Sequence, residues 1–202
     1  MSKRRSTHGK RCPRCQINKA LCFCDQILEH ATNTRVSIIM HHREKHLTSN
    51  TAKLATLTLT NAQIYQRGLP EAPFSLEELK IAPETLPLYL FPDEDALELN
   101  DEFLKTHPGP YHLIIPDGTW NQAKKVRRRE PGLSEILCVK LPDTVKGEYK
   151  LRRGVRDDGV CTFEAIAYAL EVLENKVVSE DLLRQFRIMN NRVAKSRSAY
   201  DN

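Results

Sequence analysis

The chain has 202 residues, 40% hydrophobic and 28% charged, which excludes wholesale disorder or a fibrous fold and leaves room for one globular domain with a small appendage. Its longest unbroken apolar run, Ala165 to Leu170, falls far short of the roughly 20 residues that a membrane helix needs. The net charge of +5 hides a polarity, because residues 71–102 hold ten acidic residues against Lys80, a net of −9, and the rest of the chain carries +14.

The N-terminus, Met1-Ser2-Lys3-Arg4-Arg5, has no apolar segment behind its basic residues, so no secretory signal is expected and the chain reads as cytoplasmic. Four of the six cysteines follow at once, as Cys12-Pro-Arg-Cys15 and Cys22-Phe-Cys24. In a reducing compartment they are not expected to pair. Four thiolates at this density read as an all-cysteine structural zinc site, which would order a segment too short for a core of its own. Free or redox-active thiols are the alternative. The expected division is therefore a basic zinc segment over 1–30 and a main domain over 31–202, which the family resemblance described below makes the catalytic one.

Past residue 30 the pattern alternates. Arg35–His41 is a β-branched strand, Thr48–Thr60 a helix with apolar Leu54 and Leu57, and Gln63–Tyr65 a short strand. Prolines make Pro70–Pro87 mostly loop. Leu88–Phe91 reads as a strand, Asp95–Lys105 as an amphipathic helix, Tyr111–Ile115 as a strand and Thr119–Arg129 as a helix. Ile136–Leu141 is a strand stopped by Pro142, and helices follow over Thr162–Glu174 and Glu180–Val193. Strands separated by helices imply an α/β fold with a mostly parallel sheet flanked by helices. Cys138 and Cys161 are expected to pack as small buried residues.

In such sheets ligands bind at the carboxyl ends of strands. Three polar clusters fall there: His41 to His46 with Asn50 and Thr51; Pro116 to Gln122; and the stretch beyond Leu141 that reaches Thr162 and Glu164. Each has a plain structural reading as well. The histidine pair could merely end a strand, Asp117-Gly118 could be a turn, Thr119 an N-cap, Trp120 a core anchor and Thr162 another cap. Cationic residues gather in the first nineteen positions, at Lys124, Lys125, Arg127, Arg128 and Arg129, and in the tail at Arg184, Arg187, Arg192, Lys195 and Arg197. One such run would be a solvated face; three fit a polyanion such as a nucleic acid.

The ordered set Asp117-Gly-Thr119-Trp120 with Gln122-Ala-Lys124-Lys125 resembles the signature of the DTW-domain family. The likeness extends through the cysteine pairs, His42-Arg43-Glu44, Asn50-Thr51, Leu151-Arg152 and Thr162-x-Glu164-Ala165. It implies a SPOUT-like fold with a C-terminal trefoil knot. The implied activity moves the 3-amino-3-carboxypropyl group of S-adenosylmethionine to N3 of a uridine, at position 47 of the tRNA variable loop in the bacterial type. Cys161 stands where family members often carry Ser. Under this resemblance Asp117, Thr119 and Trp120 are the catalytic candidates, with Asp117 either the base for uridine N3, the partner of the donor's ammonium or an organiser of the turn. Leu141, Pro142, Arg152, Thr162, Glu164 and Ala165 are the candidates for S-adenosylmethionine. Zinc falls to Cys12, Cys15, Cys22 and Cys24. The tRNA falls to His42, Arg43, Glu44, Asn50, Lys124, Lys125, Arg127, Arg128 and Arg129. No membrane or DNA partner is expected, and the acidic segment should face away from the tRNA. A SPOUT-type RNA methyltransferase and a non-catalytic zinc-containing RNA-binding module are the competing readings.

Overall fold

A computed structural model describes residues 11–47, 50–149 and 159–198, with side chains as far as Lys195. Six strands form one sheet: β1 (Arg35–His41), β2 (Ala62–Arg67), β3 (Leu86–Leu90), β4 (Leu97–Glu98), β5 (Tyr111–Asp117) and β6 (Leu137–Lys140), in the order β2-β1-β5-β3-β6-β4. Every pairing is parallel. The helices are α1 (Ala52–Thr58), α2 (Asp101–Thr106), α3 (Trp120–Arg129), α4 (Thr162–Leu173) and α5 (Lys176–Ser198).

Side chains alternate across a strand, and the two faces of this sheet feed two separate cores. Val36, Ile38, Met40, Leu88, Leu90, Leu113 and Ile115 point toward α1, α4 and α5, where they meet Leu54, Phe163, Leu170 and Phe186. Ile39, Tyr89, Ile114 and Cys138 point the other way and are covered by Ala123 and Val126 of α3. The chain therefore leaves β1 toward one face and leaves β5, its neighbour, toward the other. That divergence opens a crevice at the carboxyl ends of β1 and β5, where Met40 stands beside Asp117 in register.

Several boundaries differ from the sequence pattern. Leu86–Leu90 includes Pro87 although β3 is an interior strand. Leu86 donates to Pro110 on the β5 side and Phe91 to Val139 on the β6 side, so the N–H that Pro87 lacks would face β6. Pairing with β6 starts only at Leu88, hence no ladder bond is lost. The helix expected over Asp95–Lys105 is only α2, because Asn100 accepts from the backbone N–H of Glu102 and Phe103 and so starts the helix there. The residues before it form edge strand β4 instead. The last helix is longer than its apolar pattern, running from Lys176 to Ser198.

Residues 11–30 do not make a free-standing unit. Ile17 and Phe23 are buried in the same core as Met40, Leu54 and Met189. The buried Gln185 amide of α5 grips the backbone of Leu28 at both ends, accepting from its N–H at 2.9 Å and donating to its carbonyl at 3.0 Å.

One buried polar pair joins the central strands. Ser37 Oγ and His112 Nε2 lie 2.7 Å apart, with both residues inaccessible. Burial first, and the nearby Arg35 second, push the His112 ring down to about 4. An unfolded histidine titrates near ~6.5, so the stability due to the neutral ring is complete above that pH and is lost as pH falls toward 4. The urea midpoint should drop over that window, and His112→Gln should flatten the drop. Parallel curves for the two proteins would count against it.

Candidate active site

Strand alternation decides where Asp117 points. It shares the parity of Leu113 and Ile115 and therefore faces α1 and α4, although the helix that follows it, α3, packs on the opposite face. Asp117 is buried, at 4% exposure. Its Oδ2 accepts from Asn50 Nδ2 at 2.6 Å and its Oδ1 from the Thr162 hydroxyl at 2.6 Å. Three segments remote in sequence thus meet on one carboxylate, with its orientation fixed from both sides.

Thr119 turns away from this group. Its hydroxyl accepts from the Gln122 N–H, while Gln122 Oε1 accepts from the Thr119 N–H at 2.7 Å, a complete capping box at the start of α3. Gly118 leaves room for that return, since a Cβ there would lie 2.9 Å from Gln122 Oε1. Trp120 is no core anchor: it is 51% exposed, its ring tilted against Phe91 with centroids 5.2 Å apart.

The residues expected around the methyl-sulfonium donor divide. Leu141, Pro142, Thr162 and Ala165 are half-buried between the end of β6 and the first turn of α4. Glu164 is fully buried and has no oxygen pointed into an open site. One oxygen accepts from the Cys161 N–H at 2.9 Å and the other from the Glu148 N–H, so it ties the loop after β6 to α4. The same loop is held by Arg187, bonded twice to the Glu148 carboxylate at 2.8 Å, and by Tyr149 packed on Phe186. A Cβ on Gly147 would sit 2.3 Å from the Gly159 carbonyl oxygen, so this close pass of two backbones requires glycine. Arg152 lies outside the described residues. Cys161 is half-buried at the N-cap of α4, packed against the main core, and burial together with Glu164 raises its thiol well above the ordinary range.

Of the residues expected at an RNA face, Arg43, Lys124, Lys125, Arg128 and Arg129 are exposed. Three others are not available there. Asn50 is buried on Asp117, and Glu44 is buried at 4% exposure. Arg127 is clamped by Asp95 through two bonds, the longer 2.8 Å, and by Asp93 at 3.4 Å. This pairing holds Asp95 below the usual carboxylate range and raises the guanidinium. The acidic segment thus lies against the basic helix, neutralising one member of it, instead of facing wholly away. In the tail, Arg184 bonds to Asp181 and Arg187 to Glu148. His42 is half-buried and stacked on His41, centroids 4.6 Å apart. Burial first, and the neighbouring His42, Arg67 and Arg43 after it, lower the His41 ring.

The four N-terminal cysteines converge with all their sulfurs within 4.8 Å of one another. Cys12 and Cys24 are 3.7 Å apart, Cys15 and Cys22 3.8 Å. Sulfurs bonded at ~2.3 Å to one tetrahedral metal would be about 3.8 Å apart, so the donor set fits a thiolate-bound metal. Backbone N–H groups led by that of Cys15 lower the Cys12 thiol to about 6, while burial and the neighbouring sulfurs raise Cys24.

Sequence reasoning passed over Lys53. It stands in the first turn of α1, half-buried, and its N–H donates to Asn50 Oδ1 at 3.3 Å. Its spacing of three from Asn50 was the available signal, since i and i+3 share a helix face.

A profile of the DTW domain matches residues 9–194. The chain is 28% identical over 173 residues to tRNA-uridine aminocarboxypropyltransferase 2 of Drosophila melanogaster, covering 82% of this chain and 67% of that protein. It is 28% identical over 185 residues to the protein of the same name from Macaca fascicularis, covering 88% and 61%. To tRNA-uridine aminocarboxypropyltransferase A of Arabidopsis thaliana it is 28% identical over 203 residues, covering 86% and 77%. Among solved structures, the SAM-dependent rRNA:acp-transferase Tsr3 from Vulcanisaeta distributa superposes over 83% of this chain and 81% of its own, with TM-score 0.52 and 19% identity, a likeness of fold. Among the described residues no helix is long and apolar enough to cross a membrane.

The Glu164 bonds carry a prediction of their own. Glu164→Ala leaves two partly buried N–H donors unpaired, each worth at most about 1–3 kcal/mol. The variant should lose stability of that order, and the amides of Glu148 and Cys161 should exchange faster than in the wild type. Unchanged exchange at those two amides would show that Glu164 does not hold the loop.

Proposed function

Because the chain belongs to the DTW-domain family, we propose that it transfers the 3-amino-3-carboxypropyl group of S-adenosylmethionine to N3 of a uridine in tRNA. The observation that carries the assignment of roles is the Asp117 carboxylate, fixed by Asn50 and Thr162 in the crevice between β1 and β5. Uridine N3 holds its proton at neutral pH and is a poor nucleophile until the proton leaves. Asp117 accepts that proton. The N3 electron pair then forms the bond to the carbon beside the sulfonium, and the carbon–sulfur pair departs with sulfur as neutral methylthioadenosine. A negative carboxylate and a positive donor become two neutral species, so no external acid is needed.

Selection of this carbon over the methyl group is a matter of alignment. The half-buried Leu141, Pro142 and Ala165 supply the wall that shields the methyl, and Glu164 positions the loop that carries it. Arg152 is assigned the donor's carboxylate or an RNA phosphate on the chemistry of its guanidinium alone. The knotted C-terminal half belongs to the same reading and rests on the family resemblance. Arg43, Lys124, Lys125, Arg128 and Arg129 meet tRNA phosphates, which position the substrate without reading its sequence. Trp120, exposed beside them, stacks on a base. The target is position 47 of the variable loop, and the compartment is the cytoplasm, where free tRNA and donor coexist.

Zinc held by Cys12, Cys15, Cys22 and Cys24 supplies cohesion to residues 1–30 and takes no part in the transfer. Purified protein should contain one zinc per chain. Ile17 and Phe23 contribute ~3–6 kcal/mol of burial, and 1 kcal/mol moves Tm by about 2–4 °C at this chain length. Chelation should therefore lower Tm on the order of 10 °C, and an unchanged melt would overturn the structural role.

The deciding experiment incubates the protein with unmodified tRNA and S-adenosylmethionine labelled in the carboxyl or in the methyl group. Carboxyl label alone should enter the RNA. Methyl label alone would make the protein a methyltransferase, and tight binding without transfer would leave an RNA-binding module. Asp117→Asn should slow single-turnover transfer by ~10²–10⁴-fold, and wild-type rates at every pH would remove Asp117 from the proton transfer.

A further inference from the structure

We infer that the stacked rings of His41 and His42, at the carboxyl end of β1, form a subsite for one tRNA backbone phosphate, whose oxygens accept from the two Nε2–H groups. The inference rests on the reading above that tRNA is the substrate. The ring centroids lie 4.6 Å apart with the planes at 29°. His41 Nδ1 accepts from the Arg43 N–H at 3.3 Å, so the neutral ring carries its proton on Nε2. His42 Nδ1 is enclosed and has no partner. A bare acceptor is tolerated in such a place better than an N–H with nothing to bond, which puts the His42 proton on Nε2 as well. Among the described residues neither Nε2 bonds to a protein group. Gly68, the residue after β2, leaves His41 Nε2 uncovered by a side chain, since a Cβ there would sit 3.2 Å from that nitrogen.

Position in the fold selects a phosphate over the reacting base. Met40 is in register with Asp117, so the rings begin one residue past the crevice. His41 shares the parity of Ile39 and faces the α3 side of the sheet, whereas Asp117 faces α1 and α4. Arg67, in register with His41, reaches toward the same side, where its guanidinium meets Glu130 at the end of α3 at 2.6 Å. A uracil whose N3 meets Asp117 therefore lies across the sheet edge from the rings. The strand that carries it crosses that edge toward α3 and its exposed Lys124, Lys125, Arg128 and Arg129. Exposed Arg43 adds a positive charge beside the pair, and an ionised phosphate makes strong hydrogen bonds even with neutral donors. The plainer alternative is that the two rings only end the strand, a role that needs their packing and not their Nε2–H groups.

The test measures Kd for an unmodified tRNA transcript at pH 8, where an ordinary imidazole, with pKa near ~6.5, is neutral. The proteins are wild type, His41→Phe, His42→Phe, His41→Gln and His42→Gln. Phenylalanine keeps the stack and removes the donor, while glutamine removes the ring and places an amide N–H where Nε2 stood. Each Phe variant should bind ~10–100-fold more weakly, and the Gln variants should stay near wild type. The slope of log K against log salt should be the same in all of them, because a neutral donor displaces no counterion. Arg43→Gln should instead reduce that slope by about 0.7–0.9. Replacing the phosphates beside the target uridine one at a time by neutral methylphosphonate should find one whose loss weakens wild-type binding but adds little to His42→Phe. Full affinity in both Phe variants, equal losses in Phe and Gln variants, or no phosphate coupled to the rings would overturn the subsite. Carboxyl-label transfer by wild type is scored on the same transcript, and its failure would overturn the aminocarboxypropyl reading while the binding data still decide the subsite. A wild-type protein that does not bind tRNA would overturn both. Two positions keep the comparison available should one variant fail to fold.

Discussion

Two hydrogen bonds of 2.6 Å, from Asn50 and from Thr162 to the two oxygens of Asp117, join the regions following β1, β5 and β6 into one site. They are possible because β1 and β5 are parallel neighbours in register and because their outgoing helices cover opposite faces. Asp117 thereby stays over the α1 and α4 face while the next residues cross to the other. The capping box of Thr119 and Gln122 starts α3 immediately, so the change of face is made within a few residues. The DTW tripeptide region is thus divided in its work. Asp117 faces the crevice, Thr119 holds the helix start and Trp120 lies on the surface.

Charge is arranged by the fold in a way that composition does not show. The acidic segment does not form a detached counterweight to the basic surface. Through Asp93 and Asp95 it fixes Arg127, whose guanidinium also reaches the carbonyls of Ser134 and Ile136 and so secures the turn before β6. At the same end of α3 Arg67 and Glu130 form a largely buried pair. What remains free on α3 is the exposed set Lys124, Lys125, Arg128 and Arg129. A run of five cations is therefore an outward face of four and one internal strut. The tail is divided similarly, with Arg187 spent on Glu148 in the loop after β6.

The cysteine segment is an integral part of the molecule. Its Ile17 and Phe23 enter the main core, and Cys15 and Gln16 share a recess with Asn50 and Lys53. With the proposed zinc bound, a segment held by four thiolates would be stiff for its length, since the donors fix the backbone where apolar contacts are too few to do so. Its placement puts that stiffness beside the first turn of α1, the turn that orients Asn50.

Much of this was legible in the residues. β-branched runs and their alternation marked β1, β5 and β6, and the spacing of Cys12, Cys15, Cys22 and Cys24 marked the thiolate cluster. The order of the Asp117, Asn50 and Thr162 motifs marked the family, because these are local patterns fixed by backbone period and side-chain chemistry. Strand order, the two faces of the sheet, the burial of Asn50 and Glu44 and the capture of Arg127 by Asp95 were decided only in three dimensions. The bonds involved join residues between 32 and 67 positions apart that only packing brings together, and no local period encodes which of several like-charged or polar side chains will find a partner and which will face solvent.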